Sequence, residues 1–292
     1  MANQLKWSQD ASGRTTYTFD ADGNQERVLA PDGSRTTTVW DYENRATSIQ
    51  LPSGIRNTMS YEPEGLRVKL EESTGTKKFV WDDQNYLAET DGTDDTQVVY
   101  TNEPRYYGNL ISQRRGSTTS WYHFDALGST RQLTDATQGI TDQRIYDAWG
   151  SVVGSDGMTV FPFQFVGNLG YCTDADHGNI YIRARLYQPV LSRWWSADPL
   201  AGLLLQSRRG PVGRSLRSLY SYVNSRPTSL RDPSGLQEQG DDWRNRFNPN
   251  WLGQSGCIEY CIAAGIPARE CVEYCNFNSL PTDWPIPPVR PN

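Results

Sequence analysis

Four cysteines near the C-terminus are the residues best suited to covalent or metal chemistry. They stand as Cys257-Ile-Glu-Tyr-Cys261 and, nine residues on, Cys271-Val-Glu-Tyr-Cys275. On a helix, positions i and i+4 share one face. Gly265 breaks the middle and Pro267 is placed to start a second helix. Two antiparallel helices would then face each other with two sulfurs apiece. The natural pairing is Cys257 with Cys275 and Cys261 with Cys271. A segment this short builds little core, so staples of about 2–4 kcal/mol each would decide whether it folds. A four-thiolate zinc site and free thiols are the alternatives, although paired zinc cysteines more often have two residues between them. Cys172 is left over and reads as a buried core thiol.

The other reactive side chains are sparse. His123 and His177 stand alone, with no Cys or His spacing near either that forms a metal set. Asp198-Pro and Asp232-Pro read as capped turns, the usual role of that dipeptide. Residues 201–231 hold six arginines (208, 209, 214, 217, 226, 231) and no acid. Such a run can hold phosphate, but without interleaved aromatics before Tyr220 it reads as a solvated loop. There is no phosphate loop, nucleophile elbow or zinc-protease helix.

Most of the chain must serve to position these groups, and it is periodic. An aromatic residue, an acid, any two residues and then Gly or Asn recur six times. The copies are Phe19-Asp20…Gly23, Trp40-Asp41…Asn44, Tyr61-Glu62…Gly65, Trp81-Asp82…Asn85, Phe124-Asp125…Gly128 and Tyr146-Asp147…Gly150. A second beat falls at Gly33, Gly54, Gly75, Gly92, Gly139 and Gly157. A period near 20 means one unit stacked on copies of itself. The acid caps the backbone, and Gly or Asn tolerates positive φ, so each site is a tight turn. Flanking runs such as Thr15-Thr-Tyr-Thr-Phe19 are strand-forming. One hairpin cannot hide its apolar face, so neighbours pair edge to edge into a long sheet. The copy between Asp82 and Asp125 is degenerate, around Tyr100-Thr101, and Gly13 lies on the second beat. The chain is therefore expected to begin in mid-unit, as the tail of a longer product or a shortened copy of one.

Composition fits a β-rich shell. Only 36% of the 292 residues are hydrophobic while 12% are aromatic, so burial rests on Trp and Tyr; 25 Gly and 17 Pro supply turns. The formal charge of −6 argues against general nucleic-acid binding. No apolar run approaches the roughly 20 residues needed to cross a bilayer. The N-terminus, Met1-Ala-Asn-Gln-Leu-Lys-Trp7, has no signal-peptide core, so secretion would need another route or an upstream part.

These units resemble the YD repeats of the Rhs family. Trp121-Tyr-His-Phe-Asp-Ala-Leu-Gly-Ser-Thr-Arg131 resembles that family's late-repeat motif, and Tyr146-Asp-Ala-Trp-Gly150 follows. Phe163-Gln-Phe-Val-Gly167, Ile180-Tyr-Ile-Arg-Ala-Arg-Leu-Tyr187 and Ser192-Arg-Trp-Trp-Ser-Ala-Asp-Pro199 resemble the Rhs-associated core. Leu219-Tyr-Ser-Tyr-Val-Asn224 with Asp232-Pro-Ser-Gly-Leu236 resembles its terminal signature. The resemblance runs from about residue 15 to 236. It implies repeats wound as a shell, a core that plugs one end and often cleaves itself as an aspartyl protease, and a variable tail, frequently a toxin. About six repeats would form an open curl, and the link between the two Asp-Pro motifs is longer here than the family's.

What the resemblance implies for chemistry is a pair of carboxylates that share a proton. The family's Asp-Pro acid maps onto Asp198, its upstream acid onto Asp176 or Asp174, and its arginine onto Arg193; the cut would follow Leu236. The two carboxylates would lie within about 6 Å, since this coupling needs near contact.

The expected architecture is mainly β: a curled antiparallel sheet of about six YD repeats (1–160), an Rhs-core cap (161–236) and a small α-helical hairpin tail (237–292). The first functional reading is a non-catalytic shell or interaction segment of a secreted or cell-surface assembly. Its partners would be other shell segments, a secretion-system component, or a cell-surface protein or carbohydrate, without nucleic acid, cofactor or metal. The alternative is an autoproteolytic toxin with the tail as effector. A third is a carbohydrate-binding surface, if the aromatic ladder is exposed rather than core.

Overall fold

The computed structural model describes residues 3–199, 218–236 and 239–240. The twin cysteine segments, the expected helical hairpin and most of the arginine run lie outside the described residues. Residues up to Asp198 and from Leu216 to Gln239 form one compact unit.

The chain is mostly β. A 15-stranded antiparallel sheet runs in strict sequence order from β1 (Trp7–Asp10) to β15 (Val152–Asp156), and its two edge strands do not pair with each other. Among the described residues helical structure is scarce, confined mainly to the 3-10 turns Gly167–Leu169, Pro189–Leu191 and Tyr222–Ser225. No helix among the described residues is long and apolar enough to cross a membrane.

The acid caps the turn as its position predicts in four of the six copies, at Asp20, Asp41, Asp125 and Asp147, but not at Glu62 or Asp82. Asp41 Oδ1 accepts the N–H groups of Glu43 (3.0 Å) and Arg45 (2.8 Å). Asp125 does the same for Leu127 and Ser129, and Asp147 for Trp149 and Ser151. Gly23, Asn44, Gly65, Gly128 and Gly150 all take positive φ. The fourth site differs: Asp82 pairs with Asn85 directly, and the left-handed residue is Asp83 (φ 51°). On the second beat, positive φ falls at Gly33, Gly54, Gly75 and Gly157, but at Asp94 and Gln138 rather than at Gly92 and Gly139.

Two further regularities link the units. The first is a chain of side-chain hydrogen bonds from each aromatic to the unit before it. Trp40 Nε1 donates to Gln25 O (3.1 Å), Tyr61 OH to Ala46 O (2.8 Å), Trp81 Nε1 to Arg67 O (3.0 Å) and Tyr146 OH to Thr130 O (2.9 Å). Each accepting residue is the strand partner of the preceding aromatic. The degenerate unit joins the same chain: Asn102 Nδ2 donates to Tyr86 O (2.8 Å), Tyr86 being the partner of Trp81. The weak copy is thus centred on Asn102-Glu103, and the loop that follows is stretched to Asn109, where Glu103 N–H meets Asn109 O.

The second regularity is a β-bulge in every unit. Beyond each turn one residue is skipped in the pairing: Glu26, Thr47, Val68, Leu87, Ile111, Arg131 and Val153. A bulge bends its strand and increases local twist. Seven at equivalent positions bend the sheet repeatedly in one sense. The required curvature can be gauged. Gln25 N–H on β3 (Gln25–Leu29) reaches Trp195 O at 2.8 Å, and Thr130 N–H on β13 (Thr130–Thr134) reaches Gln164 O at 2.8 Å. Flat, strands ten places apart would stand about 48 Å from each other. A compact segment of some 60 residues has a radius of gyration of about 10 Å. The sheet therefore curls around the segment that follows it.

That inner segment is built on a small antiparallel sheet: β16 (Cys172–Thr173), β17 (Ile180–Ile182), β18 (Arg185–Gln188) and β19 (Arg193–Trp194). Phe163, Cys172, Tyr181, Leu186 and Trp195 pack with Ile49, Leu70, Tyr86, Tyr100 and Leu133 of the large sheet. The repeat aromatics Trp40, Tyr61, Trp81 and Phe124 pack against this cluster, and Tyr146 against a second one around Tyr187 and Tyr222. The ladder is core, so it offers no row of free rings on which sugars could stack.

Candidate functional site

The expected acids fall in two different places. Asp174, at the end of β16, is buried and engaged by Arg67 of β7 (Arg67–Glu72), with both oxygens at 2.7 Å from the guanidinium. The pair carries side-chain exposures of 0% and 1%, and Asp174 also lies 3.5 Å from His177 Nε2. Asp176 Oδ2 accepts from Asn57 Nδ2 (2.8 Å) and Ser73 N–H (2.8 Å), and Ser73 Oγ bonds its other oxygen. Burial opposes the charge of Asp176, but the bonds from Ser73 and Asn57 outweigh it and hold the carboxyl below its ordinary range. Both acids tie the inner segment to the large sheet. Arg193 donates to Asn3 O (3.1 Å), a backbone contact and not a carboxylate.

Asp198 meets a different acid. Its Oδ2 lies 3.6 Å from Arg185 Nη2, and Asp232 Oδ2 lies 3.5 Å from the same nitrogen. The two Asp-Pro motifs are therefore brought together by one guanidinium across the long link. Arg185 and Asp232 have side chains only 3% exposed, while Asp198 is at 27%. Arg185 stacks on Trp194, 4.0 Å from the ring centre, which fixes its plane.

The same guanidinium grips the Asp232–Leu236 turn. Arg185 Nε donates to Gly235 O, and Arg183 Nη1 donates to Pro233 O at 2.5 Å. Asp232 N–H donates to Tyr171 OH (2.7 Å), and Ala184 N–H to Ser234 O (3.2 Å). Asp232 Oδ1 accepts the Leu236 N–H at 3.1 Å, next to the expected cleavage position. Asp232, Arg185 and Arg183 were not singled out as site residues in the sequence. The signal available was the repetition of Asp-Pro itself, since two such motifs flanking one link can meet if the link loops out.

Cys172 is 3% exposed and free, as expected of a core thiol; burial pushes its pKa up to about 12. Among the described residues no cluster of three His, Cys, Asp or Glu could hold a metal ion.

No protein-family model matches the chain. Sequence relatives exist among toxins. The tRNA3(Ser)-specific nuclease WapA of Bacillus spizizenii is 27% identical over 175 residues, 59% of this chain and 7% of the relative. Toxin protein Tse5 of Pseudomonas aeruginosa is 32% identical over 117 residues, 40% of this chain and 8% of the relative. The double-stranded DNA deaminase toxin A of Burkholderia cenocepacia is 24% identical over 192 residues, 59% of this chain and 12% of the relative. The chain is thus related, broadly, to Rhs-type toxins. It spans only a small fraction of each relative's length. The crystal structure of TcdB2-TccC3 shares the fold, with a TM-score of 0.52 at 17% identity over 76% of this chain and 14% of that one.

Proposed function

We propose that this chain is the shell-and-core portion of an Rhs-type polymorphic toxin that cleaves itself after Leu236, residues 237–292 being the part set free as effector. The observation that carries this reading is the meeting of Asp198 and Asp232 on Arg185, with Asp232 hydrogen-bonded to the Leu236 N–H. The toxin relatives support it over a purely passive shell segment, the first reading of the sequence. The acid pair changes with it: Asp232 takes the partner role expected of Asp174 or Asp176, whose oxygens are occupied by Arg67, Asn57 and Ser73.

Two adjacent carboxylates can divide acid and base roles. One takes a proton from water, whose oxygen adds to the Leu236 carbonyl carbon. The other gives a proton to the leaving nitrogen of residue 237. The C–N bond breaks, leaving a carboxylate on Leu236 and an amine on the tail. Such proton transfers contribute roughly 10²–10⁴-fold each.

The repeats would form the wall around the core, as one stretch of a longer shell, and a delivery machine would be the partner. Such a protein would act outside the producing cell. The test is intact mass after synthesis and incubation. The expected result is two pieces split after Leu236, abolished by Asp198→Asn and by Asp232→Asn, and untouched by Asp176→Asn. A wild-type chain that stays whole would leave the passive shell reading in its place.

A further inference from the structure

We propose that Arg183 is a positioning residue for the substrate turn of the self-cleaving site, clamping Asp232–Leu236 against the fourth repeat so that the bond after Leu236 is held in place; this rests on the self-cleavage reading above. Ile182 pairs with Arg185, so Arg183 and Ala184 form a two-residue hairpin turn between β17 and β18. The favoured turns of this length need positive φ at their first position, which suits glycine or asparagine. Arg183 takes that position at φ 45°. A bulky residue there is an outlier that persists only when its surroundings hold it. Here the side chain supplies the reason. Its Nη1 donates to Pro233 O at 2.5 Å, three residues before the cut. Its Nε (3.1 Å) and Nη2 both donate to Gln84 O. The residue is buried.

The other end of the clamp is irregular too. Gln84 lies in the fourth repeat turn, where Asp82 pairs with Asn85 directly. The stretched loop of the degenerate unit is tied to that turn: Gly108 N–H donates to Asn85 Oδ1 (2.9 Å) and Asn85 Nδ2 to Arg105 O (2.7 Å). From the same loop, the Tyr107 ring lies 4.8 Å from the Arg183 guanidinium. Departures from a local rule collect at functional or strained sites. Three of them meet on this guanidinium: its own backbone, the tight fourth turn and the stretched loop. The turn to be cut lies flat on the hairpin. Ala184 N–H donates to Ser234 O (3.2 Å), and a Cβ on Gly235 would collide with Ile182 O. The side-chain hydrogen bonds of Arg183 all end on main-chain carbonyls. It therefore places the substrate and leaves the proton chemistry to Asp198 and Asp232. Placement matters to rate, since a shift of about 1 Å can cost roughly 10²-fold.

The experiment follows self-cleavage of the full chain against pH, with protein made by cell-free synthesis and the cut fraction read by intact mass. Arg183→Gly removes the clamp and suits the positive φ, so a merely structural arginine would be replaced without loss of rate. The expected result is cleavage about tenfold slower or more, with the pH profile unmoved because neither acid loses a partner. Guanidinium, well below denaturing concentration, should restore part of the rate to this variant, and methylammonium should not. Arg183→Lys keeps the charge without the planar fork and should fall between wild type and Arg183→Gly. Urea denaturation of each variant in the uncut Asp198→Asn background shows whether it folds; if Arg183→Gly does not, Arg183→Lys alone decides. Folded Arg183→Gly at the wild-type rate would overturn the assignment while leaving self-cleavage standing. So would a slow Arg183→Gly whose profile moves or which guanidinium fails to restore, or Arg183→Lys at the wild-type rate. A wild-type chain that stays whole at every pH would instead defeat the self-cleavage reading and this assignment with it.

Discussion

Arg67 and Asp174 form the most deeply buried ion pair described in the chain. Arg67 also lies over the rings of Tyr181 (4.3 Å) and Phe79 (5.3 Å), and its N–H donates to Tyr181 OH. Burial works against its charge, but Asp174 outweighs burial and the guanidinium stays protonated. Breaking such a pair leaves one charge uncompensated, at about 3–5 kcal/mol. Asp174→Ala should lower stability by that order in urea denaturation, whereas Arg67→Met with Asp174→Leu should recover most of it. His177 beside this pair is held below its ordinary pKa, first by burial and then by Arg67, with Asp174 opposing. The unfolded chain therefore binds the proton more readily. Stability from keeping this ring neutral is whole above about pH 6.5 and is lost as pH falls below it. His177→Gln should flatten the urea midpoint between pH 7.5 and 5.5. A slope unchanged by that variant would assign it to other groups.

At the scale of elements, turns and bulges differ in how they are written. The capped repeat turns at Asp20, Asp41, Asp125 and Asp147 are legible by eye, because Asp at the start and Gly or Asn at the end act through local backbone chemistry. The bulged residues Glu26, Thr47, Val68, Leu87, Ile111, Arg131 and Val153 share no side-chain property. A bulge is an offset between two strands, and neither strand encodes it alone. The degenerate unit was blurred for a similar reason: Asn102 replaces an aromatic yet keeps the donor that reaches the previous unit. Asp232 was legible as a turn cap and illegible as a partner of Asp198, since that meeting depends on packing across the whole inner segment. The turns themselves are not equivalent once packed. A Cβ at Gly65 would meet nothing within 4 Å, whereas at Gly150 it would stand 2.6 Å from the Phe165 ring. Both residues have positive φ, so alanine costs about 1–2 kcal/mol at either from the backbone alone. Overpacking adds about 1–3 kcal/mol more at Gly150. Equal losses for Gly65→Ala and Gly150→Ala in urea denaturation would contradict the contact between the last repeat turn and the inner segment.

At the scale of the whole molecule, the sheet is held curled around its inner segment by contacts spread from β3 to β13, and the Asp232–Leu236 turn belongs to that body. Four backbone groups in this turn are held by Tyr171, Arg183, Arg185 and Ala184. None of these four bonds involves a residue beyond Leu236; the one described pairing that a cut would sever is the short ladder of Gln239–Gly240 with Leu230–Arg231. A cut there should leave the turn in place and the melting temperature of the 1–236 piece within about 2 °C of uncut Asp198→Asn, less than one kcal/mol would shift a chain this size. Covalent separation is a further question, because the chain has five cysteines. Cys172 is buried with its pKa pushed up to about 12, so it is a poor thiolate and a poor partner for exchange. The staple proposed for Cys257, Cys261, Cys271 and Cys275 closes within the tail. The cut pieces should therefore run apart on a non-reducing denaturing gel, and thiol counting on unfolded, non-reduced protein should find one thiol per chain. Two bands only after reduction would place Cys172 in a bridge to the tail. Five free thiols would remove the staple, and with it the main internal argument for an oxidising destination.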